Sequence, residues 1–165
     1  MAKFNGLVDA IFLPPRNWVL NNKLTFTSKK FNNDIVKKMK DCGIQIVDGG
    51  KGTATITAPK GYITDLASVP RAAWAFIAPF DVARAAIIHD IMYEKINVAF
   101  KTGKIDERES YRKIADDTFL DAMRCSEPAV AKWKIFSAYW SVRMFGRWAI
   151  KSSAPRGAKP PLVLK

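Results

Sequence analysis

The single histidine of the chain, His89, stands in the run Ile87-Ile88-His89-Asp90-Ile91-Met92-Tyr93, which sets an imidazole, a carboxylate and a phenol in an apolar stretch. Such groups can move protons when they are held in reach of one another. On a helix neighbouring side chains point about 100° apart, so His89 and Asp90 cannot readily pair with each other. Tyr93, at i+4 from His89 and i+3 from Asp90, lies near both. A buried imidazole and carboxylate need partners, and these must come from elsewhere in the chain. Two segments can supply them: Gly61-Tyr62-Ile63-Thr64-Asp65-Leu66-Ala67-Ser68-Val69-Pro70-Arg71, a loop-like stretch with Asp65 and Ser68, and Ala115-Asp116-Asp117-Thr118-Phe119. Two roles stay open for these residues: a proton-transfer site, or a satisfied structural network in which Asp116 is paired to Arg112.

The elements that must carry these residues can be read from patterning. Residues 1–60 are β-rich: Lys23–Thr27, Ile44–Val47 and Thr53–Thr57 alternate, and Asp48-Gly49-Gly50-Lys51-Gly52 reads as a hairpin turn between the last two. A short helix over Asp34–Lys40, capped by Asn33 or Asp34, ends near Gly43. From Phe80 onward the pattern is helical. Val82–Phe100 has apolar residues around most of its circumference and is expected to be buried at its centre. A second helix is expected from Asp106, with Glu109 as a capping-box partner, to about Arg124, its Arg112 and Asp116 paired on an exposed face. A third is expected from Ser126-Glu127-Pro128 to about Lys151.

Length and composition set the frame. A chain of 165 residues with 48% apolar residues can bury one core without disulfides or a structural metal. Cys42 and Cys125 lack the spacing of a zinc site or a disulfide framework. No apolar run is long enough for a simple membrane span, and the N-terminus does not read as a secretory signal. The net charge of +12 is uneven: residues 1–60 carry ten basic and four acidic groups, 61–125 nine and ten, and 126–165 eight and one. Cationic ends favour phosphate-bearing partners, nucleic acid or anionic lipid.

In the third helix Lys132, Arg143, Arg147 and Lys151 share an arc with Trp133, Phe136, Trp140 and Trp148, while Ile135, Ala138, Val142 and Ala149 lie opposite. Tryptophan mixed with Lys and Arg suits a lipid interface or an acidic partner. The competing reading is a core helix whose basic stems reach past buried rings. Trp133, Trp140, Arg143, Arg147 and Trp148 are thus the candidate membrane-binding or partner-binding residues.

The segment Gly61–Arg71, followed by His89-Asp90-x-x-Tyr93 and Ala115-Asp116, resembles a family of short phage-encoded proteins of uncharacterised function over roughly residues 55–125. It also resembles the phospholipase A2 superfamily, in particular its bacterial and fungal members and the parvovirus capsid domain. Those proteins carry His-Asp-x-x-Tyr on one helix and Asp-x-x-Phe on the next, here His89–Tyr93 and Asp116–Phe119. The resemblance implies a calcium-assisted lipid ester hydrolase. His89 would be the general base, Asp116 would orient its imidazole, and Tyr93 would bond to Asp116. Asp90 would bind Ca2+, with Asp65 or loop carbonyls completing the shell, and Thr64, Ser68 and Arg71 would flank the site. The glycine-rich calcium loop of the animal enzymes and the bacterial disulfides have no counterpart here.

The sequence therefore predicts an α+β domain over residues 1–151: a β-rich part (1–60) packed on two antiparallel helices that carry the His-Asp site, plus a long C-terminal helix (helical part 71–151). A basic tail, 152–165, is expected to be extended or mobile. The expected function is a phage-encoded phospholipase A2-like hydrolase. The alternatives are a non-catalytic phage virion or host-interaction protein on the same scaffold, and a nucleic-acid-binding accessory protein. Its expected partners are an anionic membrane or phage virion proteins. Its expected location is the host cytoplasm on synthesis, with incorporation into the virion as a further expectation.

Overall fold

A computed structural model describes residues 2–15, 17–65 and 82–152, with the backbone alone for 147–152. The architecture is α+β, and its N-terminal part holds two sheets. Strands β1 (Lys3–Phe4), β4 (Leu24–Ser28), β5 (Ile46–Asp48) and β6 (Ala54–Ala58) form one sheet in the order β1-β4-β6-β5. Strands β2 (Ala10–Leu13), β3 (Asn17–Leu20) and β7 (Ile63–Thr64) form the other, in the order β2-β3-β7. Alternation decides the faces of the first sheet. Leu24, Phe26 and Ser28 point inward on β4, and Ala54, Ile56 and Ala58 do so on β6, while the intervening threonines face outward. Antiparallel pairing runs from Leu24↔Ala58 to Ser28↔Ala54 and sets Ile46 opposite Ile56 across the β5–β6 hairpin. The turn reading of Asp48–Gly52 holds: Gly49 and Thr53 bond across it, and Gly50 and Gly52 take positive φ.

Among the described residues four helices accompany the sheets: α1 (Asn33–Asp41), α2 (Ala83–Lys101), α3 (Glu109–Met123) and α4 (Lys132–Ser152). Helix α1 is capped by Asn32, whose side chain accepts from the Ile35 N–H, rather than by Asn33 or Asp34. The apolar girth of α2 makes it the central element: Ala85, Ile87, Ile88, Met92 and Ile96 are all fully buried, and it packs on β4, β6, α3 and α4. Helices α2 and α3 run antiparallel. The Arg108 guanidinium before α3 lies 4.5 Å from the Phe100 ring at the end of α2, and Arg84 at the start of α2 donates to the Glu127 carbonyl beyond α3.

Two helix starts differ from expectation. Helix α3 begins at Glu109 and not at Asp106: its N-cap position is Arg108, which makes no side-chain cap, and the Glu107 carboxylate before it accepts from the Ser110 N–H. Helix α4 begins at Lys132 and not near Pro128. Arg84 binds the Glu127 carbonyl at 2.9 Å, tying that segment to α2 instead of to a new helical ladder. The sequence also gave no sign of the β2–β3 hairpin. Both cysteines are free thiols, and burial together with Asp41 pushes that of Cys42 up to about 11. Among the described residues no helix is long and apolar enough to cross a membrane. The expected tail beyond Ser152 lies outside the described residues.

Candidate functional site

Three helices meet at one carboxylate. Asp116 of α3 is wholly buried, and its Oδ1 faces His89 Nε2 at 2.9 Å and accepts from the Tyr93 hydroxyl at 2.5 Å. The i, i+4 spacing of His89 and Tyr93 brings both to the same oxygen. The other oxygen, Oδ2, accepts from Arg143 Nη1 of α4 at 2.8 Å, with Arg112 Nη1 at 3.8 Å. Arg112 is itself buried and forked onto Glu109, with Nη2 to Oε1 at 2.8 Å and Nε to Oε2 at 3.1 Å. Its Nη1 also donates to the Val142 and Arg143 carbonyls, and Arg143 Nη2 reaches Glu109 at 3.2 Å. The cluster thus pairs two guanidiniums with two carboxylates across α3 and α4.

This arrangement fixes charge states. Burial opposes ionisation of Asp116, yet the hydrogen bonds of His89, Tyr93 and Arg143 outweigh it and hold its carboxyl below the usual carboxylate range. Burial and the neighbouring Asp116 push the Tyr93 phenol well above its ordinary value, so it remains a donor. An ionised Asp116 only accepts, so His89 must present Nε2–H to it. In a neutral imidazole the lone pair then resides on Nδ1. That atom is buried and has no hydrogen-bond partner among the described residues. The ring is held by Tyr93 and Phe119, with centroids 4.0 and 4.9 Å away, so Nδ1 has a fixed direction.

Asp90 diverges from His89 as helical geometry requires. Its Oδ2 accepts from the Thr64 hydroxyl of β7 at 2.6 Å, so the second sheet, through the strand preceding Asp65, reaches the next face of α2. Ser68 and Arg71, expected to flank the site, lie outside the described residues, as do the side chains of Arg147 and Trp148. Trp133 and Trp140 are exposed on α4. Two placements correct the sequence reading. Arg143, expected on the outer aromatic and basic face, turns inward to Asp116, because its long side chain can reach a buried carboxylate. Arg112, expected on an exposed face of α3, is covered by α4.

Sequence reasoning did not find Glu109 as the partner that binds both guanidiniums, nor Gly146. A Cβ on Gly146 would fall 2.6 Å from the Tyr93 hydroxyl oxygen and 3.3 Å from Arg112 Nη1, so its lack of a side chain is what admits both groups beneath α4. A glycine inside an aromatic helix was the available signal.

Residues 45–142 match a family described as a protein of unknown function (DUF1353), and the chain belongs to that family. The matched span contains His89, Asp90, Tyr93, Glu109, Arg112 and Asp116 and stops one residue before Arg143. No curated protein and no solved structure matches the chain.

Proposed function

We propose that this chain is a phage-encoded hydrolase of phospholipid esters resembling phospholipase A2, with His89 as general base. The observation that supports this reading is the pairing of His89 Nε2 with an ionised Asp116, which puts on Nδ1 a lone pair that has no partner among the described residues and can accept a proton. Nδ1 would take a proton from water as the water oxygen attacks the ester carbonyl. The resulting imidazolium would be stabilised by Asp116 and would return the proton to the departing alkoxide, completing hydrolysis to acid and alcohol. Tyr93 and Arg143 are positioning residues: they hold Asp116 and do not touch substrate.

Calcium, which the resemblance implies, prefers six to eight oxygen ligands. Among the described residues no group of three or more His, Cys, Asp or Glu is placed to hold a metal, and one oxygen of Asp90 is bound to Thr64. The described residues alone therefore do not make a calcium cage.

A second reading has its own support. His89 is only 1% exposed, and its cluster knits three helices together, as would suit a structural clamp in a non-catalytic phage virion or host-interaction protein. Hydrolysis of phospholipid vesicles by native protein and by His89→Gln separates the two. Loss of a general base lowers the rate at least about a hundredfold in a variant that circular dichroism shows to be folded. Absence of native turnover on zwitterionic and anionic phospholipids alike would defeat the hydrolase reading.

A further inference from the structure

Helix α4 is apolar on two opposite sides, and among the described residues only one of them is buried. Ile135, Ala138 and Val142 are buried against the body of the protein. On the other side Trp133, Phe136, Trp140 and Met144 are 56%, 46%, 60% and 65% exposed. Their spacing of three, four and four residues aligns them in one stripe, roughly 16 Å long at the helical rise per residue. Large exposed side chains gathered in a stripe mark a surface that meets something apolar.

Charge selects the occupant. From residue 128 to residue 165 the chain has eight basic residues and no acidic one. Cations border the stripe: Lys134 Nζ lies 6.0 Å from the Trp133 ring centroid, and the Arg124 guanidinium 5.9 Å from that of Phe136. A second copy docked through the same face would set these cations against their own kind. A nucleic acid would satisfy the cations and could stack on tryptophan, but it would leave Met144 without a suitable contact. An anionic lipid surface satisfies both features, since its headgroups meet the cations while the apolar side chains enter the boundary below them.

We propose that the Trp133–Phe136–Trp140–Met144 face of α4 docks on anionic lipid bilayers. This docking rests on the exposed face of α4 and the cations beside it, and does not require that His89 be catalytic. It is tested by sedimenting the full chain with vesicles of phosphatidylglycerol and phosphatidylcholine, and with vesicles of phosphatidylcholine alone. The protein is expected to sediment with the mixed vesicles, to be released by salt, and to bind pure phosphatidylcholine at least about tenfold more weakly. Replacing both exposed rings, Trp133→Ala with Trp140→Ala, is expected to weaken binding to the mixed vesicles at least about tenfold. Lys38→Ala on α1 is expected to change it less than twofold, as a remote change of charge. Undiminished binding by the double variant, or no binding of native protein at low salt, overturns the proposal. A dimer that the double variant abolishes, or binding to a single-stranded oligonucleotide that it abolishes, likewise overturns it if vesicle binding is absent.

Discussion

Replacing Asp116 by Asn keeps the shape of the buried side chain and removes its charge, which isolates what the carboxylate does. In the native cluster its two oxygens receive His89, Tyr93 and Arg143, with Arg112 behind. An amide has one acceptor oxygen. With that oxygen toward His89 and Tyr93, its NH2 group faces the Arg143 donor; reversed, it faces the two donors on α2. Removing one partner of a buried ion pair costs about 3–5 kcal/mol. Arg112 keeps Glu109, and Arg143, 21% exposed at its side chain, can turn toward water. The loss should therefore fall in the lower half of that range, about 3–4 kcal/mol. For a chain of this length that lowers the melting temperature by roughly 6–16 °C. The effect must also depend on pH. The folded carboxyl ionises at lower pH than in the unfolded chain, so its contribution is complete above about pH 4 and is lost as pH falls through the depressed folded value. Thermal unfolding followed by circular dichroism should show a gap between native and Asp116→Asn protein that is wide at neutral pH and narrows in acid. Asp34→Asn, which breaks an exposed pair with Lys38 on α1, should stay within about 2 °C of native at neutral pH. An Asp116→Asn melting temperature equally close to native, or a gap of the same width at both pH values, would refute the reasoning.

Gly146→Ala should destabilise the protein by about 1–3 kcal/mol through overpacking against Tyr93, despite a gain of about 0.5–1 kcal/mol from removing a helical glycine. Urea denaturation measures the balance, and a stabilised variant would mean that α4 and Tyr93 are not in contact as described. If Asp90 and Asp65 take part in binding calcium, the melting temperature should be higher with calcium than with chelator, and the difference should vanish in Asp90→Asn. Coincident curves for native protein would show that Asp90 and Asp65 hold no calcium.

Much of the fold is legible in the residues because the relevant signals are local. The alternation of Leu24, Phe26 and Ser28 against half-buried threonines needs no tertiary information, nor does the all-round apolar girth of α2. The divergence of His89 from Asp90 follows from helical geometry, and the need for a partner from another helix follows from the cost of burial. What stayed hidden depends on distances between elements. The β2–β3 hairpin escapes because Ala10-Ile11-Phe12-Leu13 is uniformly apolar and meets Pro14-Pro15, so no alternation marks a strand. Its Ile11 and Phe12 are in fact exposed. The late start of α4 reflects the bond from Arg84 to the Glu127 carbonyl, a contact 43 residues apart in sequence.

The misplacement of Arg143 shows why a helical projection locates a backbone position better than a long side chain. At 100° per residue Arg143 falls only about 20° from Phe136, at the edge of the exposed stripe, so by angle alone it belongs outside. Its guanidinium instead reaches back over the helix shoulder to Asp116, drawn by a buried carboxylate that needs a counter-ion on Oδ2. Gly146, three residues later, opens the surface there, and Tyr93 and Arg112 fill the opening. Helix α4 thus divides its circumference into three: Ile135, Ala138 and Val142 toward the core, Arg143 and Gly146 toward the Asp116 cluster, and Trp133, Phe136, Trp140 and Met144 toward solvent. The last two sets share a helix but no residue. A loss of vesicle binding in the tryptophan variant with hydrolysis of dispersed short-chain substrate retained would therefore place docking and chemistry on separate faces, whereas joint loss would mean that α4 transmits docking to Asp116 through Arg143.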